Sequence, residues 1–223
     1  MAWHQALNMG NDNYRYHDHE KLAHYANAAT DIEFNFPFGF KELEGIHSRT
    51  DFDLGNHQKI SGKKIQYFDP ETGESYVPYC VETSIGVDRM FLAILSHSYK
   101  VEDLPGGDSR VVLSIPAPLA PVKVAILPLV KKDGLPEKAQ EVVNEIKYDF
   151  AYQYDEKDSI GKRYRRQDAI GTPFCVTIDN ETMNDNCVTV RDRDTMEQTR
   201  IPIAELRDMI DRKVNMRNLL KNL

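Results

Sequence analysis

In the segment DIEFNFPF, apolar and polar residues alternate from Ile32 to Phe36, the period of a half-buried strand. Upstream, residues 19–30 (HEKLAHYANAAT) read as a short helix. Further on, KIQYFD, the turn segment PETGE and SYVPYCVE predict a β-hairpin closed by a Pro/Gly turn. From Ser84 to Tyr99, Ile85, Met90, Phe91, Ile94 and Leu95 fall on one helical face, which predicts a buried helix. The stretch ETSIGVDR (Glu82–Arg89) therefore lies where a strand ends and a buried helix begins.

The pattern changes around SIPAPLAP (residues 114–121), where alternating prolines disfavour both helix and central strand. A domain boundary is expected there, giving domains 1–120 and 121–223. Beyond it the periodicity switches between two and 3.6. KVAILPLV reads as a strand, and LPEKAQEVVNEIKYDF as an amphipathic helix with Pro136 in its first turn and Val142, Val143, Ile146 and Phe150 inward. AYQYD is a candidate strand, and Ser159 a candidate cap for a helix reaching about Ala169. TPFCVTID, CVTVRD and TMEQTRIPI read as strands, and IAELRDMIDRKVNMRNLL as a closing helix. Alternating strands and helices make this part an α/β domain.

Composition adds limits. Of 223 residues 41% are hydrophobic, enough for one large or two ordinary domains, and no apolar run approaches the length of a membrane span. Three cysteines without a CxxC argue against a disulfide framework and for a cytoplasmic setting. The net charge of −7 is uneven: 10 Lys/Arg face 17 Asp/Glu up to Pro121, against 18 of each afterwards. One basic patch stands out, with Lys157, Lys162, Arg163, Arg165 and Arg166 inside ten residues.

ETSIGVDR carries the candidate chemistry. Unpaired N–H groups and a positive partial charge mark the first turn of a helix, so Arg89 there would complete an anion site. Gly86 removes a side chain where a ligand would approach the backbone. Glu82 suits a cation, metal or amine, and Ser84 a directed hydrogen bond. A plain alternative is a structural Asp88–Arg89 ion pair. In KELEGIHSRTDFDLGNH, alternation places Glu42 and Glu44 on one strand face, a pair suited either to magnesium bridging phosphates or to a solvated edge. His17, His19, Glu20 and His24 offer a possible zinc set, but no second ligand group with suitable spacing follows.

LAHYANAATDIEFNFPFG, ELEGIHSRTDFDLGNH, VPYCVETSIGVDRMFLAIL and IGKRYRRQDAIGTPFCVTID together resemble the C-terminal part of glycyl-tRNA synthetases of the dimeric class II type. The resemblance implies the end of an antiparallel-sheet catalytic domain followed by an α/β anticodon-binding domain with a mixed five-stranded sheet. It implies ATP-dependent formation of glycyl-adenylate, transfer to tRNA(Gly), and a homodimer in the full-length enzyme. By resemblance, Glu42, Leu43, Gly86, Val87, Asp88 and Arg89 contact ATP, with Arg89 on its γ-phosphate and Glu42 near the magnesium. Glu82, Thr83, Ser84, Ile85 and Gly86 would form the glycine site, Glu82 meeting the ammonium group. Lys162, Arg163, Tyr164, Arg165 and Arg166 have the composition of an RNA-reading surface, or of a solvated helix face.

The first and second class II signatures are not found in these 223 residues. RYHDHE (Arg15–Glu20) offers Arg and Glu, but in the family its place lies downstream of the second signature. The expectation is a chain beginning inside the catalytic domain, forming no adenylate alone and exposing strand edges and apolar surface. The alternative function is a non-catalytic synthetase-like module that binds nucleic acid or a partner.

Overall fold

A computed structural model describes residues 1–221 of the chain. These divide into two compact units, one formed by Met9–Ser96 with Met1, the other by Ala2–Asn8 and the chain from His97 onward. The short helix α1 (Ala2–Ala6) belongs to the second unit. The Pro-rich stretch at 114–121 lies inside that unit.

The first unit is built on a four-stranded antiparallel sheet in the order β1-β2-β3-β6. Its strands are β1 (Tyr14–Asp18), β2 (Ala28–Phe36), β3 (Gly39–Ser48) and β6 (Val81–Ile85). Between β3 and β6 come α2 (Phe52–Ser61) and the two-residue strands β4 (Tyr67–Phe68) and β5 (Ser75–Tyr76). The alternation in DIEFNFPF survives intact: Ile32, Phe34 and Phe36 are buried, and Phe34 meets Tyr14 and Phe36 edge to face at 5.2 and 5.1 Å. The helix expected over 19–30 is not formed. His19 N–H donates to Ala29 O, and β2 already begins at Ala28. Ladder pairing there outweighs the helical preference of four alanines, since propensity is a weak prior.

The hairpin expected near residue 70 is present but short, with Asp69 N–H donating to Glu74 O and Gly73 N–H to Asp69 O. Helix α3 (Val87–Ser98) starts at the predicted junction, with Met90 N–H donating to Gly86 O. Its expected burial is corrected in part: of the predicted face, Met90, Ile94 and Leu95 are half-buried but Ile85 is 41% and Phe91 64% exposed, and of the helix residues only Ala93 and Ser98 are buried. The amphipathic face is there, but among the described residues it is only half covered.

The second unit is a sandwich around a five-stranded mixed sheet, order β10-β9-β11-β12-β13. Before it runs a hairpin that the pattern did not announce, β7 (Tyr99–Asp103) and β8 (Ser109–Leu113), turning through Gly106 and Gly107, both at positive φ. The sheet proper comprises β9 (Val124–Pro128), β10 (Tyr152–Tyr154), β11 (Phe174–Ile178), β12 (Cys187–Asp192) and β13 (Gln198–Pro202). The helices are α4 (Leu135–Ile146), α5 (Ile160–Ile170), a single turn α6 (Thr182–Asp185), α7 (Ile203–Val214) and α8 (Met216–Leu220). Strands β9 and β11 run parallel and every residue of both is buried, as expected of central strands covered on two faces. On one face Val124, Ile126, Val176 and Ile178 pack with Val142, Val143 and Ile146 of α4 and Leu206 and Ile210 of α7. On the other, Ala125, Leu127 and Cys175 meet Ile160 and Tyr164 of α5. Ser159 stands at the N-cap of α5 without a side-chain capping bond. The closing helix breaks at Asn215, whose side chain caps α8 by accepting from Arg217 N–H.

Candidate functional site

Cross-strand register decides which side chains share a surface. His17, Asp31, Gly45 and Ser84 form one row across the first unit's sheet. Flanking rows are Arg15, Glu33 and Glu42 on one side, and Ala29, His47 and Glu82 on the other. The result is one polar face opposite the apolar one that carries Ile32 and Phe34. Gly45 keeps its centre open, since a Cβ there would sit 3.1 Å from the His47 ring and 3.5 Å from the Asp31 carboxylate.

Glu42 reaches this face through an irregularity. It pairs with Glu33, whereas Glu44 pairs with Ile32, leaving Leu43 as an extra, buried residue. Glu33 and Ile32 face opposite ways, so the bulge separates Glu42 from Glu44. The expectation of both on one face is corrected: alternation fails across a bulge.

The two segments singled out by sequence meet in space. Arg89, in the first turn of α3, donates to Glu42 O at 2.6 Å and to its carboxylate at 3.3 Å. That contact replaces the Asp88–Arg89 pair considered above. Glu82 accepts from Arg49 Nη1 at 2.7 Å, and His47 Nδ1 lies 3.9 Å from the same oxygen. Arg49 is itself held by a two-pronged bond to Asp53 at 2.6 and 3.1 Å, and its guanidinium lies 4.1 Å from the centre of the Tyr25 ring. The Asp53 hydrogen bond, then that of Glu82, raises the Arg49 pKa; the Arg49 hydrogen bond lowers that of Asp53. Register places Ser84 beside Glu82 on the polar face, and turns Thr83 and Ile85 toward the other. Gly86, Val87 and Asp88 are exposed at the strand-to-helix junction.

Pattern reading missed the buried Asp31, 2.8 Å from His19 Nε2, and Glu33, which accepts from Arg15 at 2.6 Å. The signal was present: DIEF carries two carboxylates at i, i+2, the spacing that shares a strand face. Among the described residues no group of three or more His, Cys, Asp or Glu converges as a metal cage, so His17, His19, Glu20 and His24 do not form one.

In the second unit the basic stretch separates into different environments. Arg163 is buried and donates to the carbonyls of Pro128, Leu129 and Asp155. Tyr164 packs on the sheet, its hydroxyl 2.7 Å from that of Thr177. As surface groups for RNA, these two are corrected: both side chains hold the domain together. Lys162 is exposed; Arg165 pairs with Asp108, and Arg166 with Asp155 and Asp158. A second ionic cluster lies deeper. Asp168, fully buried, accepts from Arg191 at 2.8 and 3.0 Å and from Arg110 at 3.1 Å.

Residues 123–213 match the family described as "Anticodon binding domain". The glycine–tRNA ligase of Macrococcus caseolyticus is 56% identical over 92% of this chain and 44% of its own length. That of Clostridium kluyveri is 52% identical over 96% and 46%, and that of Chlorobaculum tepidum 51% over 94% and 44%. The chain thus spans a little under half the length of these curated relatives. A crystal structure of the RNA binding domain of threonyl-tRNA synthetase from Cryptosporidium parvum shares the fold, with a TM-score of 0.63 over 84% of this chain and 43% of that one at 21% identity. Among the described residues no helix is long and apolar enough to cross a membrane. The chain is thus similar over more than nine-tenths of its length to one part of glycine–tRNA ligases, and residues 123–213 carry an anticodon binding domain.

Proposed function

We propose that the first unit supplies part of the site at which a glycine–tRNA ligase, a cytoplasmic homodimer when whole, activates glycine with ATP and passes it to tRNA(Gly), while the second unit reads the anticodon. The observation that carries this is the meeting of Arg89 with Glu42 on the same sheet face as Glu82 and Ser84. Glu82, oriented by Arg49, would accept from the glycine ammonium, and Ser84 would add a directed bond. Arg89, with the N–H groups that open α3, would hold the terminal phosphate of ATP. Leu43 and the Gly86–Asp88 backbone would line its other side. A Cβ on Gly86 would touch only the Arg89 side chain, at 3.5 Å, so no neighbour in the fold requires glycine there; close ligand approach is the remaining reason.

Glu42 is the proposed contact to magnesium. That ion is usually held by one or two carboxylates together with phosphates rather than by a protein cage, which fits the exposed Glu42 carboxylate. Bound there, it would neutralise phosphate charge as pyrophosphate leaves. The first and second class II signatures are not found in these 223 residues, so the chain by itself is proposed to bind without forming adenylate.

Calorimetry with ATP–magnesium and glycine, run beside pyrophosphate exchange, tests the scheme. Arg89→Ala should weaken ATP binding by roughly 10- to 100-fold, the worth of a charge-assisted hydrogen bond, and Glu82→Gln should weaken glycine binding. Exchange should be absent. Unchanged affinities in both variants would sink the site assignment, and robust exchange by the chain alone would sink the proposed inactivity. Binding of tRNA with no affinity for ATP or glycine would favour the non-catalytic module.

A further inference from the structure

The segment between α2 and β6 projects a group of aromatic side chains that the proposed site does not use. Tyr67, Phe68, Tyr76 and Tyr79 are between 47% and 64% exposed, and Tyr67 meets Tyr76 edge to face at 5.8 Å. Leading into its outgoing arm, from the last turn of α2, stand Lys59, Lys63 and Lys64, all exposed and paired with no carboxylate among the described residues. The hairpin's acidic groups, Asp69, Glu71 and Glu74, lie at the turn, away from its base. The hairpin is rooted at the site: Arg49 N–H donates to Cys80 O and Cys80 N–H to Thr50 O, each at 2.9 Å. Its returning arm thus rejoins the fold beside Arg49 and Glu82.

We propose that the base of this hairpin is a stacking platform for the single-stranded 3′ end of the RNA that receives the amino acid. The proposal rests on the function proposed above, because only an acceptor strand must enter beside Glu82. Exposed rings interleaved with unpaired ammonium groups suit unpaired nucleotides: bases stack on the rings while the lysines meet phosphates. A purely protein-covered patch would have no need of three unpaired lysines. The acidic turn keeps phosphates off the tip and confines the strand to the base.

The test is an anisotropy titration of the 223-residue chain with a short fluorescent single-stranded RNA ending in CCA, at low salt. The Tyr67→Ala/Tyr79→Ala variant should bind about tenfold or more weakly, since each base–ring stack is worth roughly 5- to 150-fold. Tyr67→Phe, which keeps the ring, should bind like the parent. Lys63→Ala/Lys64→Ala should flatten the slope of log affinity against log salt by about 1.4. Alanine variants that remain folded by circular dichroism and bind as tightly as the parent overturn the platform. So does a gel-filtration shift from oligomer to monomer without loss of RNA affinity, which would make the patch an interface between copies. An RNA hairpin carrying an anticodon loop is titrated in parallel. If it binds while the CCA strand ignores the variants, only the platform falls; if neither RNA binds, the tRNA assignment falls as well.

Discussion

Arg163 and Gly171 show how much of this protein rests on single positions. Arg163 ties the end of β9, at Pro128 and Leu129, to the residue after β10, Asp155. Burial lowers its pKa, with Asp155 opposing that shift. A cluster of lysines and arginines in sequence looks like a surface, because the string KRYRR does not say which guanidinium turns inward. That depends on carbonyls up to 35 positions away. Gly171 ends α5 at φ +86, and a Cβ there would lie 2.9 Å from Leu113 O. Gly171→Ala should therefore destabilise the second unit by at least about 1–2 kcal/mol from backbone conformation alone, with the clash adding to it. Urea unfolding would read this directly, and a change near zero would mean the hairpin yields without cost.

Elements whose apolar period was long and regular were legible in advance. Helices α4, α5 and α7 and strands β9 and β11 lie where periodicity put them, with Val142, Val143, Ile146 and Phe150 buried as expected. Hidden elements were those whose reason lies elsewhere in the chain. The β7–β8 hairpin has short arms and no strong apolar face; it is held by Arg110, which bonds Asp168 of α5 and the Arg193 carbonyl. Arg193 in turn donates to the carbonyls of Gly171 and Ile115. Removing one partner of a buried ion pair leaves an uncompensated charge, so Asp168→Ala should cost about 3–5 kcal/mol. Amide exchange should show β7–β8 opening first. Uniform loss of protection across the second unit would contradict that order. At the candidate site, ETSIGVDR and ELEG were legible as polar segments beside apolar ones, while Asp31 and Glu33 appeared only when the strands were paired.

At the scale of the whole molecule, the even balance of charge after Pro121 conceals dense internal pairing. Arg200 joins Asp179 and Asp185. Burial works to raise the Asp179 pKa, but hydrogen bonds from Arg200 and Thr182 outweigh it; for Asp185, Arg200 dominates, and both stay below the usual 3.8. A depressed folded pKa gives stability that is complete above the unfolded value and is lost as pH falls through the folded one. Thermal unfolding should thus show no contribution to pH dependence from this trio between neutrality and about pH 5, and a falling Tm below about pH 4. Arg200→Met should lower Tm at neutral pH and flatten the acid limb. If parent and variant fall in parallel down to pH 2, the trio is not the cause.

Strands obey a parity rule: neighbours of even separation share a surface, and neighbours of odd separation do not. Glu42 breaks that rule with Gly45 and His47, and Leu43 is the residue that lets it. A one-residue offset in β3 keeps the Glu42 and Glu82 carboxylates on a common wall while both arms of the strand stay in register. The two halves of β3 are thereby clocked against each other, and the spacing between ELEG and ETS in the chain is meaningful only together with that offset.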